Sequence, residues 1–248
     1  MDSVKQHYER LLARNYTWMF GKSFEERVAE QRTILEDALR SFGITDPEGS
    51  AVDLGSGPGY QSVALAQMGF APVTAIDTSS TLLAELSTHS SNLLILPVED
   101  DILRLDRLVA VQSANIVVCM GDTITHLQDR GAVLNLLRAV SKALVPGGVF
   151  MVTYRDLSEE LHGVDRFIPV QSDNERVMTC FLEFDRDESL IVHDLVYTKE
   201  AAGWRFEKSS YRKLRLSAEW LEDAMTTDGF EVNRGMAGRL VRIIGKKQ

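Results

Sequence analysis

Between residues 50 and 154 the chain repeats one pattern: a short unbroken apolar run, then a stretch whose apolar positions fall three or four residues apart. The runs are SAVDL (50–54), PVTAID (72–77), LLILPV (93–98), ANIVVCM (114–120) and VFMVTY (149–154). Strands without polar alternation are covered on both faces, as in parallel sheets. The intervening stretches read as helices over 59–68, from Ser79 or Ser80 to about 88, briefly near 102–110, and over 129–144. In the last of these Val133, Leu136, Leu137, Val140 and Leu144 share a face, and Pro146-Gly147-Gly148 then turns the chain into the fifth run. Strand–helix repetition of this kind predicts an α/β fold, a doubly wound and mostly parallel Rossmann-like sheet.

From residue 165 the period changes to two. RFIPVQ, VMTCFLEFD, LIVHDLVYTK and WRFEKSSYRKLRL alternate, with polar turns between them, and predict an antiparallel β insertion over 157–216. Ser217 then caps a helix to about 228, and FEVNRG with RLVRIIGK forms a closing hairpin. Ahead of the repeat, residues 3–20 read as a helix or helix pair rich in aromatics. Ser23 to Glu26 has capping-box form, and Val28, Leu35, Ala38, Leu39 and Phe42 mark a helix that Gly43 ends. The chain thus divides into an N-terminal helical segment (1–45), an α/β core (46–156 and 217–248) and the insertion.

Composition narrows the function. With 248 residues the chain can bury a substantial core without staples, and a net charge of −9 disfavours phosphate backbones, so no nucleic-acid partner is expected. No run has the length of a signal-peptide core or a membrane span, so a cytoplasmic protein with no membrane partner is expected. Cys119 and Cys180 both lie in apolar runs and read as buried free thiols, and no metal-ligand spacing occurs, so no metal is expected.

The chemistry concentrates at VDLGSGPGY (52–60), where Gly55, Gly57 and Gly59 separate the first strand from the first helix. Glycines there admit a ligand to the backbone and aim a helix N-terminus at it. Asp77 ends the second strand, where an acid can accept both hydroxyls of a ribose. A nucleoside is therefore implied. A carboxylate at Asp53 would repel a pyrophosphate but suits the ammonium of S-adenosylmethionine (SAM). Asp53 also has a structural reading, as a carboxylate that bonds loop amides, and the two are compatible.

Asp53-Leu54-Gly55-Ser56-Gly57-Pro58-Gly59 resembles motif I of the class I SAM-dependent methyltransferases. Asp77 matches that family's ribose acid, with Thr78 beside it. PVEDDIL (97–103) resembles the loop in which Asp101 would meet the adenine amino group and Ile102 would pack on the ring. LVPGGVFMVTY (144–154) resembles the turn into the family's fifth strand. Within the family, VCMGDTITHL (118–127) and YRKLRLS (211–217) are similar to segments of the glycine N-methyltransferase-like small-molecule group. The resemblance implies that Met120 lies by the adenosyl group, that Gly121, Asp122 and His126 approach the methyl acceptor, and that Arg155 clamps an acceptor carboxylate. Asp122 stands where that group has asparagine, and its pocket tyrosines have no match at Pro169, Val170 or Val196.

These residues also have plain readings. His126 could satisfy the start of the helix at 129, and Arg155 could pair with Asp156 or Glu159. Tyr16 and Trp18 are either core or a lid over the cofactor, as the family's N-terminal segment implies. Arg166, His193, Tyr197 and Tyr211 lie on the insertion, where they would roof the pocket. His193 and Tyr197 share one strand face. The expected function is a SAM-dependent methyltransferase acting on nitrogen or oxygen of a small, carboxylate-bearing or zwitterionic metabolite. His126, at an ordinary pKa of about 6.5, would take the proton and Asp122 would favour charge on nitrogen. The alternatives are a SAM-binding scaffold without turnover and a nicotinamide oxidoreductase. Open strand edges in the insertion suit a homodimer.

Overall fold

The computed structural model describes residues 3–248. The N-terminal segment, expected as one or two helices, breaks into short pieces. Helix α1 (Val4–His7) is closed by a Ser3–Gln6 capping box, and a wide turn over Tyr8–Leu12 and single tight turns follow it. The break has a physical cause: this segment buries side chains on two unrelated surfaces, the sheet's carboxyl edge and the insertion, and one straight helix has a single stripe for both. Helix α2 (Phe24–Arg40) begins at the Ser23–Glu26 capping box. It ends two residues before Phe42 and packs against the first sheet helix through Phe24, Val28, Leu35 and Leu39. Residues 24–40 therefore belong to the sandwich layers.

The core carries β1 (Ala51–Leu54), α3 (Tyr60–Met68), β2 (Val73–Asp77), α4 (Ser80–His89) and β3 (Ile95–Glu99). It continues with α5 (Leu105–Leu108), β4 (Ala114–Cys119), α6 (Arg130–Ala143) and β5 (Leu144–Tyr154). Four strands of the insertion come next: β6 (Phe167–Ser172), β7 (Arg176–Arg186), β8 (Ser189–Glu200) and β9 (Gly203–Leu214). Helix α7 (Ala218–Thr227) and the hairpin of β10 (Phe230–Ala237) and β11 (Leu240–Lys247) close the chain. The seven-stranded sheet has the order β10-β11-β5-β4-β1-β2-β3. Strands β1 to β5 run parallel, and β11 joins β5 antiparallel.

This is the expected doubly wound sheet, with two local differences. Strand β3 is an edge, with Ile95 packed into one layer and Val98 against the other, and it leaves Leu96 46% exposed. Pro146-Gly147-Gly148 does not precede β5 but lies inside it, as an irregularity where pairing with β4 shifts register and Gly147 takes φ 77°. One layer of the core packs Leu54, Val117, Leu137 and Phe150, the other Val63, Leu65, Val118 and Met151. Because the strand order reverses between β1 and β4, a crevice opens above their carboxyl ends. The second sheet, β6-β7-β8-β9, is wholly antiparallel, and its inner face meets the N-terminal segment above that crevice.

Candidate active site

The glycine loop sits where β1 hands over to α3. Gly55, Gly57 and Gly59 all have positive φ, which L side chains rarely adopt. Gly55 is also tightly approached: a Cβ there would collide with the side chain of Thr123, from the loop after β4. The two switch-point loops therefore touch. Asp77, at the end of β2, accepts hydrogen bonds from the amides of Gly57 (2.8 Å) and Ser79 (2.8 Å), and the Thr78 amide adds to these. Burial nonetheless raises its pKa. The carboxylate thus fixes the loop from one side while it remains only half-buried and keeps lone pairs toward the crevice.

Asp53 lies deeper. It is fully buried and accepts a 2.6 Å hydrogen bond from Ser62 of α3. Burial, with a smaller contribution from Asp77, pushes its pKa up to about 7. Its visible task is to pin α3 against β1 beneath the loop, which is the structural reading. Contact with a ligand's ammonium from that position would need an intermediary.

Over the loop lies the N-terminal segment. The ring of Tyr16 covers Gly57, 3.7 Å from where a Cβ would stand. Tyr8 and Tyr16 are 6.0 Å apart, and Asp77 helps raise the pKa of both phenols, with burial the larger cause. Tyr60 donates to the Thr17 hydroxyl (3.1 Å), and Thr17 bonds Glu85 of α4, so the segment is latched to the core. Trp18 takes no part in this. Its indole donates to Asp173 (2.6 Å) and its ring stacks under Arg176, both of the insertion, so the expectation that it meets the cofactor is corrected.

The loop after β4 carries Met120, buried in the core, and Gly121, exposed with open space around it. Asp122, at φ 82°, accepts from the Arg155 amide (2.6 Å) and pairs with Lys213 of β9 at 2.9 Å. Despite burial, Lys213 and Arg155 hold its carboxyl below the usual range. The Arg155 guanidinium stands 3.8 Å from Asp122 and is 55% exposed, and it pairs with neither Asp156 nor Glu159. Asp156 instead accepts from Ser158 and from the Ala218 amide at the start of α7.

His126 does not serve the start of α6, because Asp129 caps that helix. Its ring lies between Tyr8 (5.8 Å) and Tyr211 (5.3 Å). Burial, reinforced by the Lys213 charge, lowers its pKa to about 3. At neutral pH it is an uncharged imidazole and a poor proton acceptor, contrary to the expectation of an ordinary histidine.

On the insertion the strand alternation sorts the expected roof. Tyr211 is buried on the inner face of β9, level with His126. His193 and Tyr197 have the opposite phase on β8 and lie on the outer face. There His193 bonds Glu183 (2.8 Å), and Tyr197, 41% exposed, stacks on Phe206. They cannot roof the pocket, and the inward residues of β8 are Val192, Asp194 and Val196. Arg166 lies over Phe181, which the same alternation places on the outer face. Asp101 is exposed and caps the turn into α5 by accepting from Leu103 (2.9 Å), while Ile102 behind it is buried.

Sequence reasoning missed Lys213, Tyr8, His7 and Asp194. The phase of β8 was the available signal for Asp194, since either set of alternate residues could have faced inward. Among the described residues no cluster of side chains suited to a metal ion occurs, and no helix is long and apolar enough to cross a membrane.

Residues 51–148 match the family model described as a methyltransferase domain. No curated protein sequence matches the chain. Among solved structures, the CcbJ methyltransferase from Streptomyces caelestis superposes with a TM-score of 0.78 at 19% identity, over 98% of each chain. The sugar N-methyltransferase KedS8 from Streptoalloteichus sp ATCC 53650 gives 0.72 at 18%, over 100% of this chain and 95% of that one. SAM-bound CalS10, an amino pentose methyltransferase from Micromonospora echinaspora, gives 0.68 at 16%, over 95% and 96%. At these identities the likeness is one of fold.

Proposed function

We infer that this chain, a SAM-dependent methyltransferase whose methyltransferase domain spans residues 51–148, methylates nitrogen or oxygen of a small carboxylate-bearing or zwitterionic metabolite. The residues fit the cofactor. The loop offers bare backbone, and the half-buried Asp77 beside Gly57 suits a ribose and disfavours phosphate at the loop. On this reading Gly55, Gly57, Asp77 and Thr78 hold the nucleoside, Asp101 and Ile102 border the base, and Tyr16 and Met120 close over it. Asp53 acts from beneath by fixing the loop. Bound there, SAM supplies an electrophilic methyl group on a sulfonium.

The chain's own task is positioning. An acceptor must be held in line with its reacting atom about 3 Å from the methyl carbon, with water kept out. The segment carrying Tyr8 and Tyr16 and the inner face of the insertion provide that enclosure. The observation that carries the acceptor class is the placement of Arg155: Lys213 meets Asp122 at 2.9 Å, while the Arg155 guanidinium stands 3.8 Å from that carboxylate and is 55% exposed. Arg155 therefore keeps guanidinium donors that Asp122 does not engage at hydrogen-bond distance, and these can orient an anionic group. Gly121 leaves room beside it.

A second reading has its own support. The pocket wall of Tyr8, Tyr211 and neutral His126 offers polar tips on apolar rings, which suits an amino sugar, and KedS8 and CalS10 are described as methyltransferases of sugars. The test is transfer of a tritiated methyl group from SAM to amino acids, hydroxy acids and amino sugars. Arg155→Ala should raise KM for a carboxylate acceptor roughly tenfold or more, the worth of a charge-assisted hydrogen bond. An unchanged KM, or turnover of amino sugars alone, rejects the carboxylate clamp. A second copy of the chain is a further partner on this reading, through the outer face bearing Phe167, Tyr197 and Phe206. Sedimentation velocity of Phe206→Glu should then show monomer.

A further inference from the structure

Asp122 meets two cations on unequal terms. Its backbone sits at φ 82°, in the left-handed region, and its Oδ1 accepts from the Arg155 amide at 2.6 Å. Two charges compete for Oδ2. The Lys213 ammonium holds it at 2.9 Å, and Arg155 Nε stands 3.8 Å from it, beyond hydrogen-bond distance. Lys213 belongs to the inner face of β9, two residues beyond Tyr211, and is almost wholly buried, while the Arg155 side chain is more than half exposed. A buried pair is little screened and an exposed one is weakened by water and salt, so the lysine wins the oxygen. Among the described residues the Arg155 guanidinium makes no hydrogen bond. Its charge still reaches the underside of the insertion: burial raises the pKa of the Tyr211 phenol and the Cys180 thiol, and Arg155 opposes that rise at both.

Resting on the reading of Arg155 as the acceptor clamp, we propose that Lys213 determines specificity at this site: by occupying Asp122 it keeps the Arg155 guanidinium free for the carboxylate of an acceptor. Without the lysine, Arg155 and Asp122 are close enough to pair with each other. A guanidinium and a carboxylate favour an arrangement in which two N–H groups donate at once, and a shift of about 1 Å brings Nε within reach. A clamp closed in that way has its charge neutralised and its donors used before any acceptor arrives. The Lys213 ammonium prevents this twice over, by taking the oxygen and by repelling a second cation from it. Lys213 is buried and committed to Asp122, so it acts through Arg155, as a positioning residue.

The test has one arm without an acceptor and one with it. Proton–nitrogen NMR of the arginine-labelled protein, with Arg155 identified by the signal missing in Arg155→Ala, follows solvent exchange of its Nε–H. Lys213→Met should slow that exchange about tenfold as the guanidinium closes on Asp122, and Asp122→Asn added to it should restore the native rate. An unchanged rate in Lys213→Met overturns the proposal; Lys213→Gln, milder in its effect on folding, is the second variant, with the same directions expected. Methyl transfer from SAM is then measured with glycine and with glycinamide, which lacks the carboxylate, at a temperature where circular dichroism shows every variant folded. Lys213→Met should raise KM for glycine about tenfold, keep kcat within about twofold and leave KM for glycinamide unchanged. In the Arg155→Ala background the same substitution should change KM for glycine by less than about twofold, because its effect runs through Arg155. A full rise in that background, or an equal rise for both acceptors, overturns the proposal. If the native protein binds SAM by calorimetry but methylates neither compound, the carboxylate reading above fails, and the Nε–H exchange still decides whether Lys213 keeps Arg155 free.

Discussion

Replacing Lys213 by methionine tests the electrostatic centre of the site. Lys213 is almost wholly buried, and its ammonium meets Asp122 at 2.9 Å. Methionine keeps the apolar body of the side chain and removes the charge. Asp122 is then left in a site that is largely closed to water, with the Arg155 amide at 2.6 Å and the more distant guanidinium at 3.8 Å as its remaining partners. Stranding one member of a buried pair typically costs about 3–5 kcal/mol, and the surviving amide bond argues for the lower end, about 3 kcal/mol. For a chain of 248 residues that corresponds to a fall in Tm of about 6–12 °C.

The pH dependence separates this cause from simple loss of packing. Asp122 is depressed in the folded protein, so its contribution to stability is present above the carboxylate's unfolded pKa and is lost as pH falls through the folded value. In Lys213→Met that contribution is gone, and the stranded carboxylate escapes its penalty by taking up a proton. The gap between native and variant should therefore be largest near pH 7 and shrink toward pH 4. Urea unfolding followed by tryptophan fluorescence at both pH values measures it. A gap below about 0.5 kcal/mol at pH 7, or one of the same size at both, would refute the reasoning. Asp122→Asn in the Lys213→Met background should recover part of the loss, since an uncharged amide needs no counter-ion.

Asp53→Asn should move stability the other way. The folded carboxyl, near 7, binds its proton more tightly than an unfolded aspartate, so this group costs the fold stability as pH rises from about 4 to 7 and holds that cost above. The asparagine variant, whose amide oxygen can still accept from Ser62, should resist urea better than the native protein at about pH 8 and equally only at about pH 3, below both pKa values; lower resistance at pH 8 would reject the account. Tyr16→Ala uncovers Gly57 and should weaken SAM binding about tenfold through a faster off-rate, read by stopped-flow fluorescence, and should speed hydrogen exchange of the Gly57 amide. Unchanged exchange there would mean that Tyr16 is not the lid.

The parts legible in the sequence are those whose signal is local. Helix α2 announces itself through Ser23 and Glu26, and both bonds of the capping box form. The glycine loop is legible because three positive-φ glycines and an acid at the end of the next strand meet one backbone demand at one place. The N-terminal segment was legible as aromatic but not as broken, because its side chains answer to two surfaces contributed by distant parts of the chain. Trp18 and Tyr16 are neighbours in sequence, yet one faces Asp173 and the other Gly57. Spacing within a helix cannot anticipate that division.

The insertion shows the same limit more sharply. Alternation along β8 places His193 with Tyr197 and Asp194 with Val196, and it is symmetric: a sequence with polar and apolar residues on both phases does not say which phase meets the core. The decision comes from elsewhere. Asp194 turns inward because His7, nearly two hundred residues earlier, supplies a partner for a carboxylate in the interior. Lys213 does so because Asp122 waits there. A buried charge is tolerated only where its counterpart is brought to it. The inward phase of the insertion is therefore fixed from two sides, by His7 of the N-terminal segment for Asp194 and by Asp122 of the loop after β4 for Lys213. The crevice over the glycine loop is walled by polar groups for the same reason: the pairings that orient the cap are pairings at the site.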